Sequence, residues 1–186
     1  MEEIQLFLDE AKELMEKAVQ HTSLELGKIR AGKASPSMLD GLTVNYYGVT
    51  TALNQASSVT VPDARTVLIK PWEKSLLSEI ERAIINSDLG LSPQNDGEVI
   101  RLNIPPLTED RRKQLAKQAK METENGKISI RNIRKDTNES LRKLQKEGAS
   151  EDDVKRAEDT VQQLTDKFIG KCDEAYTKKE AEIMTV

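Results

Sequence analysis

Pro105-Pro106-Leu107-Thr108-Glu109-Asp110-Arg111-Arg112-Lys113 opens the stretch whose reading decides the fold, and from there the chain runs without another proline past Gly148. The two prolines cannot sit inside a helix, whereas Thr108 offers a hydroxyl to the orphan amides of a helix start. Glu109 and Asp110 suit the positive end of the helix dipole. Gly148 supplies a residue able to take the left-handed conformation that stops a helix. Everything between predicts one long helix.

At about 100° per residue, Leu115, Ala119, Thr123, Ile130, Ile133, Thr137, Leu141 and Leu144 fall on one stripe of that helix. Lys113, Lys117, Lys120, Lys127, Arg131, Lys135 and Arg142 fall opposite, with Glu124 among them and Arg134 on the border. The apolar stripe needs partner helices. A charged outer face is ordinarily a solvated face and nothing more. Here the distribution argues for a polyanion: residues 105–148 hold 12 basic and 7 acidic side chains, net +5, in a chain of net −4, which leaves −9 for the remainder.

Working outward, an aromatic content of 3% and a charged fraction of 32% favour helices packed through Leu, Ile, Val and Ala over a conventional globular core. Cys172 is the only cysteine, so no intramolecular disulfide forms, which fits a reducing compartment. No apolar run has the length of a membrane span, and Met1-Glu2-Glu3 lacks the basic start of a signal peptide. The expectation is a soluble cytoplasmic protein with no membrane contact.

Residues 2–30 predict a first helix, with Ile4, Leu8, Ala11, Met15, Ala18, Thr22 and Ile29 inward and Leu14 and Leu26 widening the stripe. His21, without another His or Cys nearby, reads as a surface or boundary residue. The pattern breaks at Gly32. Ser35 and Pro36 read as the cap and start of a short turn ended by Gly41. From Leu42 to Asn103 the texture becomes β-rich. Strands are expected at 43–47, 49–53, 58–61, 66–70 and 99–103, with a helix from Glu73 to Asn86 burying Leu76, Leu77, Ile80, Ala83 and Ile84. Trp72 reads as a packing residue. Tyr46 and Tyr47, adjacent in a strand, are expected on opposite faces. After Gly148, Ser150 and Asp153 resemble a capping box, opening a third helix that runs to about Met184. Its stripe is Val154, Ala157, Val161, Leu164, Phe168 and Ala175, with Cys172 beside it.

The fold class expected is therefore α+β: a long antiparallel three-helix bundle with an inserted small α/β (β-rich) domain. The bundle takes residues 1–30 and 106–186, and the insert takes 31–105. Two chain crossings join them. Ala31, Gly32, Lys33, Ala34, Ser35 and Pro36 on one, and Asn103, Ile104, Pro105 and Pro106 on the other, are candidate hinges. A bundle that covers its own apolar stripes is expected to be a monomer.

Catalytic chemistry finds little support. There is no phosphate-cradling glycine loop, no Ser/His/Asp set and no Cys/His metal spacing, and the acids Glu151, Asp152 and Asp153 are explained by a helix start. The expectation is a protein that is not an enzyme and needs no cofactor or metal.

Several segments, in order along essentially the whole chain, resemble the ribosome recycling factor family. They are Lys28-Ile29-Arg30-Ala31-Gly32-Lys33-Ala34-Ser35-Pro36, Tyr46-Tyr47-Gly48, Ser87-Asp88-Leu89-Gly90-Leu91, Pro105-Pro106-Leu107-Thr108-Glu109 with Arg111-Arg112, and Arg131-Asn132-Ile133-Arg134-Lys135-Asp136. The resemblance implies an L-shaped molecule whose bundle binds large-subunit ribosomal RNA and whose small domain swivels. Its partners would be the post-termination ribosome and elongation factor G. That factor hydrolyses the GTP while the subunits part and messenger RNA and deacylated transfer RNA leave. Carried over residue by residue, the RNA-contacting arginines are Arg112, Arg131 and Arg134, with Arg30 near the hinge. Lys33 and Lys135 stand where the family often has arginine, keeping the charge but not the planar fork. Lys113, Lys117 and Lys127 join the candidates from the cationic stripe. The rival readings are a helical adaptor or chaperone that binds protein, and an enzyme with a carboxylate site in the α+β domain.

Overall fold

The computed structural model describes residues 2–185. It divides into two compact units: one joins the chain up to Ala31 with the chain from Glu109 onward, and the other is Gly32–Thr108.

The first unit is built from α1 (Glu2–Gly27), α4 (Glu109–Lys146) and α5 (Glu151–Met184). Three contacts give the direction of packing. Lys127 meets Asp173, Arg134 meets Gln162 and Arg142 meets Glu158, so rising numbers on α4 face falling numbers on α5. The two helices are antiparallel. Along α1, Ile4 and Leu8 pack with Leu141, Val154 and Val161, whereas Met15 packs with Ile130, Phe168 and Cys172. So α1 is antiparallel to α4 and parallel to α5. The periodic apolar residues meet along this seam, and Met15, Ile130, Leu141, Val161, Phe168 and Cys172 are fully buried or nearly so. Each such Met, Ile, Leu, Val or Phe side chain contributes on the order of 1.5–3 kcal/mol relative to exposure.

The turn between α4 and α5 closes as a Schellman motif: Ala149 N–H donates to the Leu144 carbonyl (3.0 Å) and Gly148 N–H to that of Gln145 (3.1 Å). Gly148 at φ +112 is the left-handed residue that this closure requires.

The first helix ends at Gly27, short of the residue 30 expected from the pattern. Lys28 and Ile29 still donate backwards to Leu24 and Leu26, and Ile29 stays buried, so the apolar spacing outlasts the helix. Leu14, expected in the stripe, is exposed; it sits about 100° round the helix from Met15, away from the buried seam. The capping box at Ser150 does not form: its side chain makes no cap hydrogen bond, and Glu151, Asp152 and Asp153 supply negative charge to the first turn instead. Cys172, expected beside the third stripe, lies at its centre.

The second unit holds a hairpin of β1 (Thr43–Tyr46) and β2 (Val49–Ala52), then α2 (Leu53–Ala56), β3 (Ser57–Asp63), β4 (Thr66–Pro71), α3 (Leu77–Ile85), β5 (Pro93–Asn95) and β6 (Ile100–Asn103). The four later strands make one antiparallel sheet in the order β3-β4-β6-β5. Period-two alternation places Val67, Ile69, Ile100 and Leu102 inward, against Leu76, Leu77, Ile80 and Ile84 from the helical segment. Ser35 Oγ accepts from Ser37 N–H and caps a single 3-10 turn begun by Pro36, as its sequence suggested. The short α2 and β5 carried too few residues to show a period.

Two aromatic expectations are corrected. Tyr47 is in the hairpin turn at φ +49, not in the strand, so alternation does not apply to it. Its ring lies edge-on to that of Tyr46, centroids 4.7 Å apart. Both hydroxyls converge on one carboxylate: Tyr46 donates to Glu73 Oε1 at 3.0 Å and Tyr47 to Oε2 at 2.7 Å. Trp72, expected to pack, is 66% exposed, and is held by its indole N–H donating to the Gln55 carbonyl at 2.9 Å.

Candidate nucleic-acid interface

The candidate site is one side of α4. Its opposite side is committed to the bundle through Leu115, Ala119, Thr123, Gly126, Ile130 and Leu141, all buried. Helical geometry then turns Lys117, Met121, Ile128 and Lys135 outward, and each is exposed. Lys120 is exposed beside them. Among the described residues, Lys117, Lys120 and Lys135 form no ion pair. Their ammonium groups remain available to an external anion.

The other cations divide by what they touch. Arg131 Nη1 lies 2.9 Å from Glu124 Oε1, seven residues back on the same helix, so the one acid in the stripe is locally neutralised. Lys113 pairs with Glu109 at 3.0 Å, one turn away. Arg134 donates to Gln162 Oε1 at 3.3 Å and Arg112 to the Met184 carbonyl at 3.4 Å, and both side chains reach across to α5. Lys127 is paired with Asp173 of α5, and its side chain is only 19% exposed. Toward the end of α4, Arg134, Lys135, Arg142, Lys143 and Lys146 line a shallow depression of about 910 Å³ with Asn138 and Glu139. Arg142 there is bound to Glu158 of α5 at 2.8 Å. The arrangement offers an elongated row of positive charge on a rigid helix, suited to the phosphates of a structured polyanion.

The family model for ribosome recycling factor matches residues 22–184 of this chain. The chain belongs to the ribosome recycling factor family. It is 60% identical over 186 residues to the ribosome-recycling factor of Amoebophilus asiaticus and 56% identical over 186 residues to that of Cytophaga hutchinsonii, with both proteins covered in full each time. Among solved structures it is similar to a solution structure of the ribosome recycling factor. The TM-score there is 0.79, with 35% identity and both chains covered in full. It is also similar to the Thermus thermophilus ribosome recycling factor placed, with Escherichia coli elongation factor G, on the E. coli post-termination complex. That TM-score is 0.63 at 43% identity, covering 98% of this chain and 99% of the other.

The remaining candidates lie outside the stripe. Arg30 is exposed just beyond α1, in the family's segment Lys28–Pro36. Of the hinge candidates, Asn103 belongs to β6 opposite Thr66, Ile104 is buried in the sheet core, and Ala34 N–H donates to the Ala64 carbonyl at 2.8 Å. These three are part of the fabric of the second unit, as is the cap residue Ser35. Gly32 lies against Leu107 within that unit.

Among the described residues no cluster of three or more His, Cys, Asp or Glu could hold a metal ion, and no helix is long and apolar enough to cross a membrane. Met121 and Ile128 also stand exposed on this side of α4. Neither fits the apolar stripe, and the wheel gave them no role on a cationic face.

Proposed function

We propose that this chain recycles ribosomes as a non-catalytic cytoplasmic factor. Its helical unit binds large-subunit ribosomal RNA in the post-termination ribosome. With elongation factor G, which hydrolyses the GTP, it drives the subunits apart and frees messenger RNA and deacylated transfer RNA. Family membership and the likeness to a recycling factor studied together with elongation factor G support the assignment. The observation that carries the RNA part is the row of exposed, unpaired Lys117, Lys120 and Lys135 on a helix of net positive charge within an acidic protein.

In this reading Lys117, Arg131, Arg134 and Lys135 meet phosphates, and Lys113 and Arg30 extend the row. Arg112 and Lys127 act mainly by fixing α5 against α4. The swivel runs through Ala31, Gly32 and Lys33 on one crossing and Pro105 and Pro106 on the other, since Ala34, Ser35, Asn103 and Ile104 are already bonded into the second unit. A cross-link locking the two units is expected to leave ribosome binding intact and abolish subunit splitting.

The direct test is co-sedimentation with large ribosomal subunits across a salt series. Binding that weakens steeply with salt, with a slope lowered by about two in Lys117→Gln/Lys135→Gln, is the expected result. Salt-insensitive binding confined to a protein partner would instead favour the adaptor reading.

A further inference from the structure

Folding alone does not explain Met121 and Ile128. They lie seven residues apart on α4, about 10.5 Å along its axis, on the side turned away from the buried seam. Met121 is 56% exposed and Ile128 is 47% exposed. Their neighbours on this side are polar: Gln114, Lys117, Gln118, Asn125, Asn132 and Lys135, all exposed. Ile is β-branched and a weaker helix former than Lys or Gln, so an exposed Ile here has no advantage for the helix itself.

We infer that Met121 and Ile128 are RNA-contacting side chains. They pack against ribose and base surface of a folded RNA whose phosphates lie on the flanking Lys117 and Lys135. This deepens the ribosomal reading above and rests on it. Charge complementarity selects the occupant. Lys117, Lys120, Arg131 and Lys135 surround the apolar pair, and Glu124, one helical turn from both apolar residues, is bound to Arg131 at 2.9 Å. The same face of a second copy would bring like charges together. Folded RNA offers both halves of the match: anionic oxygens at intervals, and apolar sugar and base surface between them.

The two kinds of contact leave different signatures. A cation that displaces counterions contributes to the salt dependence of binding, and an apolar contact contributes affinity without it. The experiment measures binding of the full chain to large ribosomal subunits across a salt series for the wild type, Met121→Gln/Ile128→Gln, and Lys117→Gln/Lys135→Gln. Circular dichroism establishes that each variant folds; the substituted side chains are exposed and Gln is a good helix former, so folding is expected to survive. The apolar double variant should bind about tenfold more weakly at every salt concentration with an unchanged slope. The lysine double variant should lose slope by about two.

Affinity of the apolar variant within about twofold of wild type would overturn the inference, as would a loss accompanied by a changed slope. Sedimentation supplies a further check: a wild-type dimer that becomes monomeric in the apolar variant would identify the pair as a self-association face and overturn it too. If the wild type itself fails to bind the subunit, the ribosomal reading falls, and this one with it. Binding by the wild type with no effect of Met121→Gln/Ile128→Gln removes only the apolar contact.

Discussion

Gly126 of α4 lies so close to Thr22 of α1 that a Cβ built on the glycine would stand 2.0 Å from Thr22 Oγ1, with Thr22 Cβ at 3.1 Å and Cγ2 at 3.2 Å. That hydroxyl is itself tied down, donating to the Ala18 carbonyl at 2.9 Å. The two helices therefore pack at this level because one of them has no side chain. A mid-helix glycine costs about 1 kcal/mol relative to alanine, and here that cost is offset by the close approach. Gly126→Ala should accordingly destabilise the helical unit by about 1–3 kcal/mol despite its better helix propensity. Thermal melting measures this. Thr22→Ala in the same chain should recover part of the loss, because it removes the nearest atom.

Glu73 gathers the hydroxyls of Tyr46 and Tyr47, and both phenols are held above their ordinary value of 10.0. The hydrogen bond to Glu73 is the leading cause for each. Burial follows for Tyr46, and repulsion from the carboxylate for Tyr47. The native state thus prefers the protonated phenols. That preference is fully present below the unfolded value near 10 and is lost as pH rises through the raised native values. Ultraviolet titration of phenolate should show Tyr46 and Tyr47 ionising late, and Glu73→Gln should bring both back toward 10. Tyr176, raised chiefly by burial, should not respond.

Lys127 and Lys135 both read as members of one cationic stripe, yet Lys127 is spent on Asp173 while Lys135 is exposed and unpaired among the described residues. Lys127→Gln should lower stability by about 0.5–1 kcal/mol, since Asp173 is half exposed, and should leave the salt slope of ribosome binding unchanged. Lys135→Gln should leave the melting temperature unchanged and reduce the slope by about one. Paired melting and co-sedimentation series on the two variants separate the roles.

Gly32 takes φ +72, and a Cβ there would meet Leu107 Cγ at 2.5 Å and Cδ1 at 2.9 Å. Gly32→Ala incurs both a left-handed backbone cost and a clash, about 2–3 kcal/mol together. Calorimetry should show a loss assigned to the second unit by faster amide exchange there. Leu107→Ala should relieve the clash but not the backbone strain, so the double variant should recover only part of the loss.

The long elements were legible because burial on one side of a helix leaves a period. Leu115, Ala119, Ile130 and Leu141 on α4, and Val154, Val161 and Phe168 on α5, are spaced as the structure buries them. The 3-10 turn at Pro36 and the stop at Gly148 were legible because proline, serine and glycine act through their own backbones. Trp72, Tyr47 and Lys127 were not. Each has a role set by a residue far away in sequence, respectively Gln55, Glu73 and Asp173, and no periodicity encodes such a partner.

Sequence alone determined that three long amphipathic helices would pack against one another, that a β-rich segment would be inserted in the chain between the first and second of them, and that positive charge would collect on the middle helix. Those properties follow from side-chain order along a repeating backbone. Only the tertiary structure decided which cations remain available, because Lys127, facing α5, finds Asp173, whereas Lys135, facing solvent, forms no ion pair among the described residues. It decided, too, that Met121 and Ile128 stand exposed among the cations and that Gly126 admits Thr22, since what covers a position depends on the neighbouring helix and not on the residue itself.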